Sequence, residues 1–114
     1  MSRSVEEWDA LTSEFMEHCL RAGRAPRVAA MARMLEVSRE RLTREYGAAT
    51  GRSPADAFRQ FQVRRAQELL ATTSLSTGEI ARLAAFGSPR AFYRTFLHCV
   101  GVTPTELRRL VRGG

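Results

Sequence analysis

The sequence predicts an all-α fold in which a long central helix joins two helix-turn-helix subdomains, with an N-terminal amphipathic helix in front of them. The main observation is an internal duplication, in which one pattern occurs twice. Its two copies are Leu42-Thr-Arg44-Glu-Tyr46 with Gly51-Arg-Ser53-Pro54, and Phe92-Tyr-Arg94-Thr-Phe96 with Gly101-Val-Thr103-Pro104. Each copy follows a short alanine-rich apolar stretch, which predicts a helix, a tight turn and a second helix that carries arginines. No segment shows the alternation of apolar and polar residues that is typical of a strand.

The N-terminal helix is predicted within residues 1–23. Ser4-Val-Glu-Glu7 has the form of a capping box, and Gly23 ends the amphipathic run. The apolar residues that recur there at helical spacing are Val5, Trp8, Leu11, Phe15 and Cys19. We expect this stripe to cover the first subdomain, and a dimer surface is the alternative.

The first helix-turn-helix is predicted within residues 24–51. A short helix is followed by a turn at Glu36-Val37, and Ser38 is the expected N-cap of the first recognition helix, which Gly51 ends. Helical spacing places Leu42 and Tyr46 on its inner face. The residues left available to solvent are Arg39, Glu40, Thr43 and Arg44.

The central helix is predicted over residues 53–72. Ser53 is a suitable N-cap, Pro54 suits the first helical position, and Asp56 adds an acid in the first turn. Its apolar face is formed by Phe58, Phe61, Ala66, Leu69 and Leu70. A helix of this length can link the two halves as a rigid strut.

The second helix-turn-helix and a C-terminal helix are predicted within residues 76–112. A capping box at residues 76–79 opens a short helix at residues 80–84, a turn follows at Phe86-Gly87, and Ser88-Pro89 starts the second recognition helix. Its inward residues are Phe92, Phe96 and Val100, and its outward residues are Arg90, Tyr93 and Arg94. Thr103 caps the last helix.

The charge balance favours a polyanionic partner, and nucleic acid is the simplest one. The chain of 114 residues has a net charge of +6, with 18 arginines, no lysine and 12 acidic residues. Residues 1–17 contain one arginine and five acids, so the remainder carries about +10. We therefore expect the N-terminal segment to lie away from DNA. Arginine suits bidentate contacts with phosphate and guanine, although the codon usage of a GC-rich genome also explains the absence of lysine.

Several classes of protein are excluded by what the sequence lacks. The length predicts one domain over residues 1–114, without room for a ligand-binding module. No run approaches the ~18 apolar residues of a membrane span, and the acidic start does not resemble a signal peptide. We expect a cytoplasmic protein with no membrane partner. There is no Ser/His/Asp set and no glycine-rich phosphate loop, so we expect no enzymatic activity.

The cysteines and histidines are expected to be free side chains. They occur as two adjacent pairs, His18-Cys19 and His98-Cys99, without CxxC spacing. Neighbours on a helix point about 100° apart, so neither pair chelates a metal well by itself. We expect no metal site, no other cofactor and no disulfide.

Specific residues then add a family resemblance over about Val28 to Arg109. In the first half they are Met31-Ala32, Ser38, Leu42-x-Arg44-x-Tyr46 and Gly51-x-Ser53-Pro54. In the second half they are Leu75-Ser76, Ile80-Ala81, Phe86, Phe92-x-Arg94-x-Phe96 and Gly101-Val-Thr-Pro104. On these residues the chain resembles the DNA-binding domain of the AraC/XylS family of bacterial transcription regulators. One further agreement is that the second unit has one more residue between its short helix and its recognition helix, as the family has.

The resemblance implies a seven-helix domain with two homeodomain-like units that binds an asymmetric DNA site as an activator or repressor. Two recognition helices on one scaffold can enter major grooves about 34 Å apart without dimerisation, so we expect a monomer on DNA rather than a dimer through the N-terminal helix. RNA polymerase is a second candidate partner. The expected DNA-binding residues are Arg39, Glu40, Thr43 and Arg44 in the first unit, and Ser88, Arg90, Ala91, Tyr93 and Arg94 in the second. Arg90 is the leading candidate for reading guanine.

Two turn residues depart from the family pattern. The family usually has glycine where this chain has Ala85, and glycine is frequent where it has Glu36. If either backbone position needs a positive φ, we expect a cost of roughly 1 kcal/mol or more. Glu40 is also unusual on a recognition helix, because it repels phosphate unless it accepts a hydrogen bond from cytosine.

Other roles are open for several arginines and for the chain as a whole. Arg44 and Arg94 could brace their own subdomains instead of contacting DNA. Arg108, Arg109 and Arg112 could touch phosphate, but we expect them instead to complement a helix dipole and keep the C-terminal end solvated. The alternative function is that of a protein-interaction adaptor, or an antagonist of another regulator or of RNA polymerase, with weak and non-specific DNA binding.

Overall fold

The computed structural model describes residues 2–113, and this part of the chain contains seven α-helices and no strand. The helices are α1 Val5–Ala22, α2 Val28–Met34, α3 Arg39–Thr50, α4 Pro54–Thr72, α5 Thr77–Leu83, α6 Pro89–Val100 and α7 Pro104–Val111. The predicted all-α fold is confirmed. Met1 and Gly114, the two ends of the predicted domain 1–114, lie outside the described residues.

Most helices begin where the sequence places a hydroxyl side chain. In six of them the N-cap side chain accepts a hydrogen bond from the backbone N–H three residues later, at Ser4, Ser38, Ser53, Ser76, Ser88 and Thr103. Capping boxes form at Ser4, Ser76 and Thr103. Because Ser76 is the N-cap, α5 begins at Thr77 and ends at Leu83, rather than spanning the expected residues 80–84.

The capping carboxylates are held ionised by their backbone partners. The Ser4 N–H donates to Glu7 over 3.0 Å, and the Thr103 N–H donates to Glu106 over 2.9 Å. These backbone hydrogen bonds are the main reason why the pKa of each glutamate lies below its ordinary value. The negative charge also lies at the positive end of the helix dipole.

The buried side chains form two hydrophobic cores. The first core is built from α1, α2, α3 and the start of α4, and the second from the rest of α4 with α5 and α6. On α4, Ala57 and Phe58 belong to the first core, while Val63, Ala66 and Leu70 belong to the second. The extensive helix contacts that join the two halves all involve α4.

The apolar stripe of α1 is part of the first core. Trp8, Phe15, Met16 and Cys19 are buried there, and the Trp8 ring meets the Tyr46 ring of α3 edge to face at a centroid distance of 5.2 Å. The stripe therefore covers the first subdomain, as expected, and is not left free as a dimer surface.

The acidic side of α1 meets arginines that follow the first recognition helix. Glu17 accepts a hydrogen bond from Arg65 over 2.8 Å, and Asp9 lies 3.9 Å from Arg52. Both pairs are partly exposed, so each contributes little to stability. The buried stripe packs α1 against the first core, and the two pairs link its acidic side to Arg52 after α3 and to Arg65 on α4.

The burial of Trp8 leads to a stability prediction. Trp8→Ala is expected to lower the free energy of unfolding by about 3–5 kcal/mol, because it leaves a cavity beside Tyr46. The matched control is Val5→Ala on the same helix, since Val5 is 46% exposed and Trp8 only 2%. Urea unfolding followed by circular dichroism measures both. Equal, small losses for the two variants would contradict the placement of α1 in the core.

Candidate nucleic-acid interface

The recognition helices α3 and α6 are each set up by a tight turn of the same form. In the first turn the Val37 N–H donates to the Ala32 carbonyl over 3.0 Å, and the Glu36 N–H donates to the Arg33 carbonyl over 3.1 Å. The second turn repeats this geometry from Phe86 to Ala81 over 2.9 Å and from Ala85 to Arg82 over 3.1 Å. This pair of hydrogen bonds defines a Schellman motif, in which one residue must adopt the left-handed conformation.

The residues in that left-handed position are Glu36, with φ of 58°, and Ala85, with φ of 62°. Among residues 2–113 they are the only residues other than glycine with a positive φ. Both turns therefore need a positive φ at the two positions where the family pattern has glycine. The expected cost of roughly 1 kcal/mol or more applies at each.

The two turns differ by one glycine. Val37 is followed directly by the N-cap Ser38, whereas Gly87 separates Phe86 from the N-cap Ser88. A side-chain carbon added at Gly87 would meet nothing within 4 Å. The extra residue of the second unit is thus an exposed position just before α6, with open space where a side chain would stand.

On α3, the inward and outward residues are those expected from the spacing. Leu42 and Tyr46 are buried in the first core. The predicted DNA-binding residues Arg39, Glu40, Thr43 and Arg44 are all exposed. Spacing alone could have found Arg41 as well, since it is exposed on the same helix.

Arg41 is held by a neighbouring carboxylate. Its Nε donates to Glu45 over 2.6 Å, and this hydrogen bond is the main reason why the pKa of Glu45 lies below its ordinary value. The Arg41 guanidinium is therefore already paired, whereas the structure records no ion pair for Arg39 or Arg44 within residues 2–113.

On α6, Phe92 and Phe96 are buried in the second core, and Val100 packs against it. Of the predicted DNA-binding residues in this unit, Ser88, Arg90, Tyr93 and Arg94 are exposed and Ala91 is half-buried. Ser88 is engaged as the N-cap, because its side chain accepts from the Ala91 N–H over 3.1 Å.

The outer face of α6 also carries Leu97, an exposed apolar residue beside Tyr93 that we did not predict. Tyr93 is 49% exposed and Leu97, one turn further along, is 39% exposed. The sequence signal was available, since residues four apart on a helix share a face. Such a pair can contact the methyl group of thymine, which guanidinium groups cannot recognise by hydrogen bonds.

The alternative bracing role of Arg44 and Arg94 lacks a contact in the structure. Neither side chain makes an ion pair or hydrogen bond with another of the described residues 2–113. Both guanidinium groups point away from their own cores and are available to a ligand.

Two of the C-terminal arginines complement a helix dipole, as expected, through carbonyls at the end of α4. Arg108 donates through Nε to the Leu70 carbonyl over 3.3 Å and through Nη2 to the Thr73 carbonyl over 3.2 Å. Arg112 also donates to the Thr73 carbonyl. These carbonyls lie at the C-terminal end of α4, where cations complement the helix dipole. Arg109 is exposed.

The remaining chemistry-bearing residues form no further site in the described chain. Cys19 is buried, which raises the pKa of its thiol, and Cys99 is an exposed free thiol. Within residues 2–113, no three His, Cys, Asp or Glu side chains cluster so that they could hold a metal ion. None of the helices in this range is both long enough and apolar enough to cross a membrane.

Two helix-turn-helix units with exposed recognition helices define a helix-turn-helix DNA-binding domain. A family model described as a helix-turn-helix domain matches residues 31–110, which is most of the chain. Together with the residue pattern above, this match shows that the chain belongs to the AraC/XylS family of transcription regulators.

Solved structures and a curated relative agree with this assignment. The DNA-binding domain of AdpA, a global transcriptional factor solved in complex with a target DNA, is similar with a TM-score of 0.79 and 27% identity, covering 90% of this chain and 93% of that one. An AraC-type transcriptional regulator from Chromobacterium violaceum gives a TM-score of 0.75 and 25% identity, covering 92% and 93%. The HTH-type transcriptional regulator GlxA of Rhizobium meliloti (strain 1021) is 38% identical over 80 residues, which are 70% of this chain and 25% of GlxA. The chain thus spans about a quarter of the length of that relative.

The left-handed turn residues lead to a second stability prediction. Glu36→Gly is expected to raise the free energy of unfolding by about 0.5–1 kcal/mol. Glycine avoids the cost of a side chain at positive φ, and its larger loss of entropy on folding offsets part of this gain. Glu36→Ala removes the same exposed carboxylate but keeps a side-chain carbon, so it should give no such gain. Urea unfolding of both variants measures the difference. Equal stability for the glycine and alanine variants would contradict strain at this turn.

Proposed function

We propose that this chain is a sequence-specific transcription regulator that inserts α3 and α6 into successive major grooves of DNA. The observation that carries the proposal is the repeated unit: each recognition helix is buried on one side and presents arginines on the other. The molecule is 51 Å long, which is enough to reach two grooves about 34 Å apart from one face of the duplex. The DNA complex of the similar AdpA domain supports the same class of ligand.

The first unit would read one groove with Arg39, Glu40, Thr43 and Arg44. The second would use Ser88, Arg90, Ala91, Tyr93 and Arg94. Residues near the N-terminus of a recognition helix reach base edges, while N-terminal backbone amides and flanking arginines hold phosphates.

Glu40 and Arg90 give the proposed site its asymmetry. Each stands two residues after its N-cap, Ser38 or Ser88, so the two units present opposite charges at equivalent positions. Arginine pairs in a bidentate way with guanine, and glutamate accepts a hydrogen bond from the amino group of cytosine. We therefore propose a non-palindromic site, with cytosine read by Glu40 and guanine read by Arg90.

The domain division is part of the same proposal. Residues 24–51 and 76–112 would act as the two reading units and residues 53–72 as the strut between them, so that one chain binds both grooves without a dimer. This role is non-enzymatic. RNA polymerase would be a partner only through surfaces that remain free once both recognition helices are on DNA.

A protein-interaction adaptor is less well supported. That alternative relied on weakened turns and on a free N-terminal helix. Both turns instead form their paired hydrogen bonds despite Glu36 and Ala85, and the apolar stripe of α1 is buried in the first core. The apolar stripe of α1 is therefore not free for a partner, and both turns form in spite of their strained residues, so we prefer DNA reading.

Selection from a random duplex pool at near-physiological salt tests the proposal directly. The bound fraction should yield one motif with two conserved segments about 10 base pairs apart from centre to centre. Its affinity should fall steeply with salt, because each neutralised phosphate contributes a log–log slope of about −0.9. Weak binding without any motif would refute the proposal and favour the adaptor.

Arg90→Ala is expected to lose about 1–3 kcal/mol of discrimination at one base pair in the second half of that motif, with the first half unchanged. Arg21→Ala is the control, because Arg21 is exposed on α1, outside both recognition helices. Competition binding to duplexes that differ at single positions measures the effect. An equal loss at all positions would assign Arg90 to phosphate instead of base contact.

Glu40→Gln is expected to relax the preference for cytosine in the first half of the motif and leave the second half intact. It should also strengthen binding to unrelated duplexes, because it removes a negative charge that faces phosphate. The same competition assay checks both effects. A second half that changes along with the first would contradict independent reading by the two helices.

A further inference from the structure

Gln62 on α4 is a buried polar side chain that links two elements. The buried polar residues among residues 2–113 are Thr12 and Gln62, each 6% exposed. The Thr12 hydroxyl donates to the carbonyl of Trp8 in its own helix over 2.8 Å and lies 3.5 Å from the Tyr46 hydroxyl of α3. Gln62 reaches a backbone group outside its helix, and its Nε2 donates to the Ala85 carbonyl over 2.9 Å. The NH2 group of the Gln62 amide faces this carbonyl, because a carbonyl oxygen can only accept a hydrogen bond.

The acceptor of that hydrogen bond belongs to the left-handed residue of the second turn. Ala85 is 2% exposed, so water does not reach its carbonyl freely. Within residues 2–113 the Gln62 amide is the partner recorded for that carbonyl. A buried carbonyl that lacks a hydrogen-bond donor costs about 1–3 kcal/mol. The Gln62 hydrogen bond avoids this cost and stabilises the turn in its present position.

The first turn has no equivalent link. Glu36 is exposed, and within the described chain no side chain from another helix donates to its carbonyl. The two units are therefore tied to α4 in different ways. The second unit, which has the extra Gly87, is the one whose turn accepts a side-chain hydrogen bond from α4.

Gln62 also lies where the two cores meet. It comes one turn after Phe58 of the first core and directly before Val63 of the second. Around it is an open cleft of about 280 Å³, lined on the first-unit side by Pro26 and Val28 and on the second by Phe86 and Ala91. The two units are thus not packed closely against each other at this point. Their relative orientation therefore depends on the contacts that each unit makes with α4.

We propose that Gln62 is a positioning residue, which fixes the second recognition helix relative to α4 and thereby sets the spacing of the two recognition helices. The effect on DNA binding rests on the proposed two-groove function. The effect on the distance between α3 and α6 rests on the fold alone. Without the Gln62 hydrogen bond, Phe92 and Phe96 would still hold α6 in the second core, but the turn before α6 would lose its side-chain bond to α4.

The first test measures geometry without DNA. A spin label on the natural Cys99 of α6 and another introduced by Ala48→Cys on α3 report the distance between the recognition helices, in a Cys19→Ala background. Gln62→Met keeps the size and removes the donor, and it should clearly broaden or shift the distance distribution. Gln67→Met, the same change on a half-buried residue of α4, is the control. An unchanged distribution in a folded Gln62→Met protein would overturn the positioning role, whatever the DNA results are.

The second test measures the consequence on DNA. Duplexes carry the selected motif with its two halves moved closer together or further apart by single base pairs. Gln62→Met should lose about tenfold affinity at the natural spacing, with much smaller losses at altered spacings and on the first half alone. If Gln62 only stabilises the fold, Gln62→Met should lower the unfolding temperature and leave the spacing preference sharp. That result would overturn the proposal. Absence of any motif for the parent protein would refute DNA reading alone, since the spin-label distances still decide the role of Gln62.

Discussion

Ala57 and Phe58 of α4 are buried in the first core, and Val63, Ala66 and Leu70 of the same helix are buried in the second. Because the extensive contacts between the halves all involve α4, the placement of one recognition helix relative to the other depends on this helix. Its C-terminal end is bound in turn by Arg108 and Arg112, which donate to its last carbonyls. This helix is therefore supported along both cores and at its C-terminal end, and α3 and α6 both pack against it.

The two helix-turn-helix units repeat one backbone design with different side chains. Both turns use the same pair of hydrogen bonds and the same left-handed residue, and both tolerate a side chain where glycine would be less strained. Such strain persists only where the surrounding structure holds it in place. In the second unit, burial of Ala85 and its bond from Gln62 provide that support. The first turn is exposed and has no such bond, so its strain should be the easier to relieve by mutation.

The arginines divide into structural ones and available ones. Arg41, Arg52, Arg59 and Arg65 lie beside carboxylates, while Arg108 and Arg112 bind carbonyls at the end of α4. Within residues 2–113, the other exposed arginines of the recognition helices, Arg39, Arg44, Arg90 and Arg94, make none of these contacts. Net charge therefore overstates the number of groups that can meet a polyanion. What matters for recognition is the position of the unpaired guanidinium groups on α3 and α6.

Local sequence alone determined the helices, their caps, the duplicated turns and the inward residues of each recognition helix. These features depend on residues within a few positions of each other, such as Ser38 with the backbone of Arg41, or Leu42 with Tyr46, and local spacing encodes them. The glycines of the family pattern raised a positive φ at Glu36 and Ala85 as a condition, and the structure shows that both residues adopt one. Only the tertiary structure decided between the core and a dimer surface for the apolar stripe of α1, and only it showed that Arg108 binds the end of α4 and that Gln62 reaches Ala85. Those partners lie far apart in the chain, and their contact depends on how whole helices pack, which no local pattern records.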